Sequence, residues 1–145
     1  MFIFYDIEYL CLLNDVKQLP IIIEDGYKIF VPHLQMQGYS VDLKEKIRTC
    51  KDTNLVEMLD CVEFPSFLNK NELNDSVFGK GFLFLLHCCK IKNLALVIDN
   101  TRRSQIALCS KLKIKTISIE EFNKEVIKNE QYYNFLMSNK DKLIV

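Results

Sequence analysis

Four short apolar runs divide the chain, at residues 1–5 (MFIFY), 27–31 (YKIFV), 94–98 (LALVI) and 114–117 (IKTI), and each reads as a buried strand. Between them the apolar positions recur at helical spacing. Leu10, Leu13 and Val16 mark a helix over 7–16, and Leu43, Ile47, Leu55 and Leu59 mark one over 41–61. Residues 77–90 form an almost wholly apolar helix, and 101–112 a helix that turns Ile106, Ala107 and Cys109 inward. Ser118 and Glu121 make a capping box that opens a helix over 119–128, and 131–138 is a last helical segment. Asp25-Gly26 is a turn, Pro32 stops the second strand or opens the next helix, and the polar stretch 68–76 reads as a loop. Strands alternating with helices predict an α/β fold, a central parallel sheet of about four strands with helices on both faces. The whole chain, 1–145, reads as a single domain without repeat or linker.

Composition narrows the function classes only a little. The chain carries 19 basic and 19 acidic residues, so a nucleic-acid or membrane surface would have to be local. Its longest apolar stretch, 82–89, contains His87 and is too short to cross a bilayer, and MFIFYD lacks a basic leader. A soluble, cytoplasmic domain is expected. The six cysteines, at 11, 50, 61, 88, 89 and 109, include no C-x-x-C pair and fall mostly in apolar runs. They read as small buried hydrophobes in a reducing compartment, and the vicinal Cys88 and Cys89 point about 100° apart on a helix.

In parallel α/β sheets ligands gather at the carboxyl ends of the strands. Two strands end there in an acid, Asp6 and Asp99. Carboxylates brought together in this way make a hard oxygen site for Mg²⁺ or Mn²⁺, whereas a single acid after a strand ordinarily caps the next helix. Arg102 and Arg103 follow Asp99 directly and are candidates for phosphate contact, against a solvated helix face as the ordinary reading. Thr101 is read as the N-cap of its helix, His33 as a surface or capping residue, and His87 as a core-edge histidine with its hydrogen bond satisfied. No P-loop, dinucleotide fingerprint or serine nucleophile elbow occurs. Tyr132, Tyr133, Phe135 and Leu136 are either core or a partner surface.

The order of elements and four local motifs resemble the PIN-domain nucleases, most closely the small prokaryotic PIN-like proteins often found near toxin–antitoxin genes. FIFY runs into Asp6 and a helix with Leu10 and Leu13; IFV runs into Pro32 with Gln37 a few residues on. Gly79 and Lys80 open the apolar helix GFLFLLHCC, and ALVI runs into Asp99, Asn100, Thr101, Arg102 and Arg103 before a helix and strand. The resemblance implies a Mg²⁺- or Mn²⁺-dependent endoribonuclease, with Asp6 and Asp99 as metal ligands and Asn100 as an orienting group. It also implies an antitoxin-like protein partner and homodimers.

Departures from that pattern carry as much weight. The family's site has four acids; here Gln37 and Lys80 stand where two of them belong. An ammonium in place of a ligand repels a divalent ion, so Lys80 is expected to replace the metal and pair with Asp6 and Asp99. Glu8, Glu72 or Asp75 could instead supply a missing acid. The resulting expectation is a nuclease fold that is inactive or impaired and acts by binding RNA or a protein partner. The alternative is an active toxin-type ribonuclease.

Overall fold

The computed structural model describes residues 1–143. Its center is a five-stranded, wholly parallel sheet in the order β3-β2-β1-β4-β5, formed by β1 (Phe2–Phe4), β2 (Ile29–Pro32), β3 (Glu57–Leu59), β4 (Ala95–Val97) and β5 (Thr116–Ile117). Side chains alternate across it. Phe2 and Phe4 enter one core with Ile29, Val31, Ala95 and Val97, while Ile3 enters the other with Phe30 and Leu96. On the first face pack α1 (Ile7–Asp15), α2 (Leu19–Glu24), α3 (Val41–Asp52), α8 (Ile119–Val126) and α9 (Glu130–Leu143). On the second pack α4 (Phe64–Lys70), α6 (Lys80–Lys92) and α7 (Arg103–Lys111), with the short α5 (Asp75–Phe78) leading into α6. Burial on both faces is why the strands read as unbroken apolar runs. None of the described helices is long and apolar enough to cross a membrane.

The expected architecture is present, with one more strand than the pattern suggested. The helix expected over 41–61 ends at Asp52, and its last part is β3. Thr53 closes α3 with its hydroxyl on the Thr49 carbonyl (2.8 Å), and Asn54 turns the chain through a left-handed conformation, φ 59°. Leu55 and Leu59 are four apart and so mimic a helical stripe. In the fold Leu59 instead pairs with Pro32 across the sheet. Pro32 is thus the last residue of β2, where its missing N–H costs no ladder bond, and His33 N donates to Leu59 O at 2.9 Å.

The stretch 68–76 is only partly loop. Buried Phe64 and Phe67 anchor α4 through Lys70, and Asn74 caps α5 by accepting from Ser76 N at 2.9 Å. Gly79, at φ 83°, breaks what read as one helix from 77, so that Lys80 opens α6. The capping box is present as expected: Ser118 Oγ accepts from Glu121 N at 3.0 Å. The C-terminal helix runs beyond the expected 131–138, to Leu143. Leu136 is fully buried while Tyr132 and Phe135 are exposed, so that cluster is split between core and surface.

A polar link inside the first core fixes where α9 lies. Asn123 of α8 donates to the Tyr9 hydroxyl of α1 and lies 3.4 Å from the Met137 sulfur of α9. Burial pushes the Tyr9 hydroxyl up to about 12, so it stays protonated. Three helices are tied at one point, and the end of α9 is carried toward the carboxyl edge of the sheet.

Candidate functional site

Strand order reverses between β1 and β4, because β1 is followed by β2 on one side and β4 by β5 on the other. Crevices at such reversals are where open parallel sheets bind ligands. Asp6 leaves the end of β1 and Asp99 the end of β4, so the two acids flank that point, only 7% and 4% exposed.

Each acid is already paired with a cation from the chain itself. Arg102 Nη2 donates to Asp6 Oδ1 at 2.6 Å, and its guanidinium lies 4.7 Å from the center of the Tyr5 ring. Lys140, from α9, reaches Asp99 Oδ1 at 3.2 Å, while Thr101 donates to Asp99 Oδ2 through its hydroxyl at 2.5 Å and its backbone N–H at 3.3 Å. The turn that makes this possible is local: Asp99 also accepts, through its carbonyl, from Arg102 N at 3.1 Å. That i to i+3 bond aims Arg102 back across β1. Thr101 is therefore not the N-cap of α7. The cap position belongs to Arg102, and Thr101 spends its hydroxyl on Asp99.

The two carboxyls differ in their electrostatics. Burial by itself would raise Asp99, but the hydrogen bonds from Thr101 and the Lys140 ammonium outweigh it and hold it below its ordinary value. Burial dominates at Asp6, whose carboxyl is raised despite Arg102, with Glu8 and Asp99 adding repulsion. Asp6 Oδ2 and Arg102 Nε are both buried and find no hydrogen-bond partner among the described residues.

Lys80 does not take the expected role. It stands exposed at the start of α6 and forms no ion pair with Asp6 or Asp99. Its place as counter-cation is taken by Arg102 and Lys140. The sequence-level reason is sequence distance, because Lys140 lies 41 positions from Asp99, on a terminal helix with no motif. The sequence marks Arg102 as a candidate for phosphate; in the fold its guanidinium is committed to Asp6. Asn100 is exposed next to Asp99, and Arg103, Glu8, Glu72 and Asp75 are exposed as well. Of these last three only Glu8 bears on Asp6, through its charge.

Lys80 and Gln37 instead belong to a groove along the carboxyl ends of β1, β2 and β3. It consists of two adjoining cavities of 820 and 560 Å³ that share Leu34, Gln37 and Lys80. Arg48, Lys51 and Lys80 bring positive charge to the larger cavity, Asp52 and Asp60 bring negative charge, and the core residues Phe64 and Phe84 form part of its floor. His33 lies on its rim, 3.6 Å from Asp60, as a surface histidine. His87 is at the core edge as expected, its Nε2 2.7 Å from the Val62 carbonyl oxygen and its Nδ1 without a partner.

A divalent ion does not fit the acid pair as it stands. Its ligands would be Asp6 and Asp99, and one oxygen of each is held by a cation within hydrogen-bond distance. At roughly 4 Å and an effective dielectric near 20, one such cation repels a divalent ion by about 8 kcal/mol. The chain matches no family model, and no curated protein or solved structure matches it.

Proposed function

We propose that this protein is a PIN-like module in which internal cations stand where the nuclease metal would be, so that it binds single-stranded RNA rather than cleaving it. The observation that carries this reading is the pair of ion bridges Arg102–Asp6 and Lys140–Asp99. With one oxygen of each acid held by a cation, a two-metal site would be short of ligands for its hydrolytic chemistry. What the carboxyl edge still offers is the groove, where Arg48, Lys51 and Lys80 can follow a phosphate backbone past Asp52 and Asp60. A cytoplasmic location belongs to the same reading, and so does a homodimer through the exposed Tyr132 and Phe135.

One observation favors the alternative, an active ribonuclease. Asp6 Oδ2 is buried with no donor among the described residues, a lone pair that a metal would satisfy. Both readings meet in one experiment, fluorescence anisotropy with labeled single-stranded RNA, followed by gel analysis of the same RNA with Mn²⁺. Binding should weaken steeply with salt and fall at least about tenfold in Arg48→Glu or Lys51→Glu, with the RNA left intact. Mn²⁺-dependent cleavage abolished by Asp6→Asn would establish the ribonuclease instead. Absence of RNA binding would leave a protein partner as the occupant of the groove.

A further inference from the structure

The sulfurs of Cys61 and Cys88 lie 3.1 Å apart, although 27 residues separate them in the chain. Cys61 follows β3, and Cys88 lies in α6. The neighboring residues make a second bridge between the same two segments, because His87 Nε2 sits 2.7 Å from the Val62 carbonyl. Two successive residues of the helix thus hold two successive residues of the loop. The second attachment holds the two backbones near each other at the level of the sulfurs.

Access to the two sulfurs is unequal. Cys88 is fully buried, whereas Cys61 is half-buried and forms part of the wall of the larger cavity, with Arg48, Lys51 and Lys80. The remaining thiols are arranged differently. Cys11 and Cys50 lie in the opposite core, and Cys89, one residue along the helix, is turned about 100° from Cys88 and lies within electrostatic reach of both Cys109 and Cys61, without the short sulfur–sulfur approach that Cys88 makes.

We infer that Cys61 and Cys88 form an oxidizable dithiol, which a small peroxide entering the groove converts to an intramolecular disulfide. The Cys61 thiolate attacks one peroxide oxygen; the O–O bond breaks, and the departing oxygen leaves as water after taking up a proton. Cys61 is then a sulfenic acid. Cys88 loses its proton and attacks the Cys61 sulfur, the S–O bond breaks, and the hydroxyl leaves with that proton as a second water. Two thiols and one peroxide give one disulfide and two waters, the sulfurs losing two electrons and the peroxide oxygens gaining them. Burial and the adjoining Cys61 raise the Cys88 thiol well above its ordinary value, so it stays protonated in the resting protein and the half-buried Cys61 is the sulfur that meets peroxide first. The bond would tie the loop after β3 to α6 along one wall of the groove.

Treatment of the full chain with hydrogen peroxide, thiol blocking, non-reducing digestion and mass spectrometry tests the assignment. The expected product is a monomer lighter by two hydrogens, with one cross-linked peptide pair containing Cys61 and Cys88, restored by dithiothreitol. Cys61→Ser and Cys88→Ser should abolish the cross-link, and Cys89→Ser should leave it unchanged. The wild-type map decides the matter even where a variant fails to fold. Six free thiols, a Cys61 sulfinic acid with no cross-link, a disulfide between other cysteines, or a Cys61-linked dimer would each overturn the assignment.

Discussion

Asp99 is buried yet favors its charged form, because Thr101 and Lys140 supply three donor contacts to its two oxygens. Its lowered pKa has a definite consequence for stability. Between the folded value and the ordinary value of 3.8, the unfolded chain binds more protons, so stability rises with pH there. The contribution is complete above the ordinary value and is lost as pH falls through the lower folded one. Asp99→Asn should therefore be less stable than wild type at neutral pH, with the difference shrinking as pH drops below about 4. Urea unfolding of both proteins across that range measures it, and a gap independent of pH would mean that Asp99 does not titrate this way. Asp6, raised by burial, contributes in the opposite sense: favorably at low pH, and lost as pH rises through its folded value. The acids themselves were legible in the sequence, since each ends an apolar strand. Their partners were not, because an ion pair between Asp99 and Lys140 depends on the path of a whole helix.

Elements were legible where burial and period agreed. The runs ending at Asp6 and Asp99 are strands buried on both faces, and the Ser118 capping box opens its helix as the side-chain chemistry demands. Reading failed where two periods overlap. Leu55 and Leu59 fit a helical stripe, and the break between α3 and β3 rests on Thr53 and Asn54, polar residues with no Gly or Pro to flag it. Asn54 holds the left-handed turn that Gly would ordinarily supply, and Asn tolerates it better than most residues. Asn54→Ala should cost about 1 kcal/mol, while Asn54→Gly should be neutral or slightly stabilizing. Chemical denaturation of the two variants checks the pair. Equal losses would place the importance of Asn54 in its side chain, not its backbone angle.

At the scale of the molecule, the defining feature is that the sheet gathers two acids at its topological switch point and the chain then returns to neutralize them. Arg102 arrives by a tight turn from the adjacent strand; Lys140 arrives only because Tyr9, Asn123 and Leu136 seat α9 on the first core. The neutralization is thus built into tertiary structure, and the groove is lined by Tyr5, Ile7 and Glu8 around Asp6 but by neither acid. If those cations are what exclude a metal, removing both should create a divalent site where there was none. Wild type should give no Mn²⁺ binding heat in calorimetry, and Arg102→Ala with Lys140→Ala should bind Mn²⁺ with an affinity lost again on adding Asp6→Asn. The double variant should also be less stable, by at least roughly 3–5 kcal/mol, the cost of breaking one buried pair, because two buried carboxylates lose their partners. Adding Mn²⁺ should then raise its unfolding midpoint while leaving wild type unmoved, since a ligand that binds only the folded state stabilizes it. Mn²⁺ binding by wild type, sensitive to Asp6→Asn, would instead mean that metal can displace the guanidinium and ammonium, and the ribonuclease reading would gain.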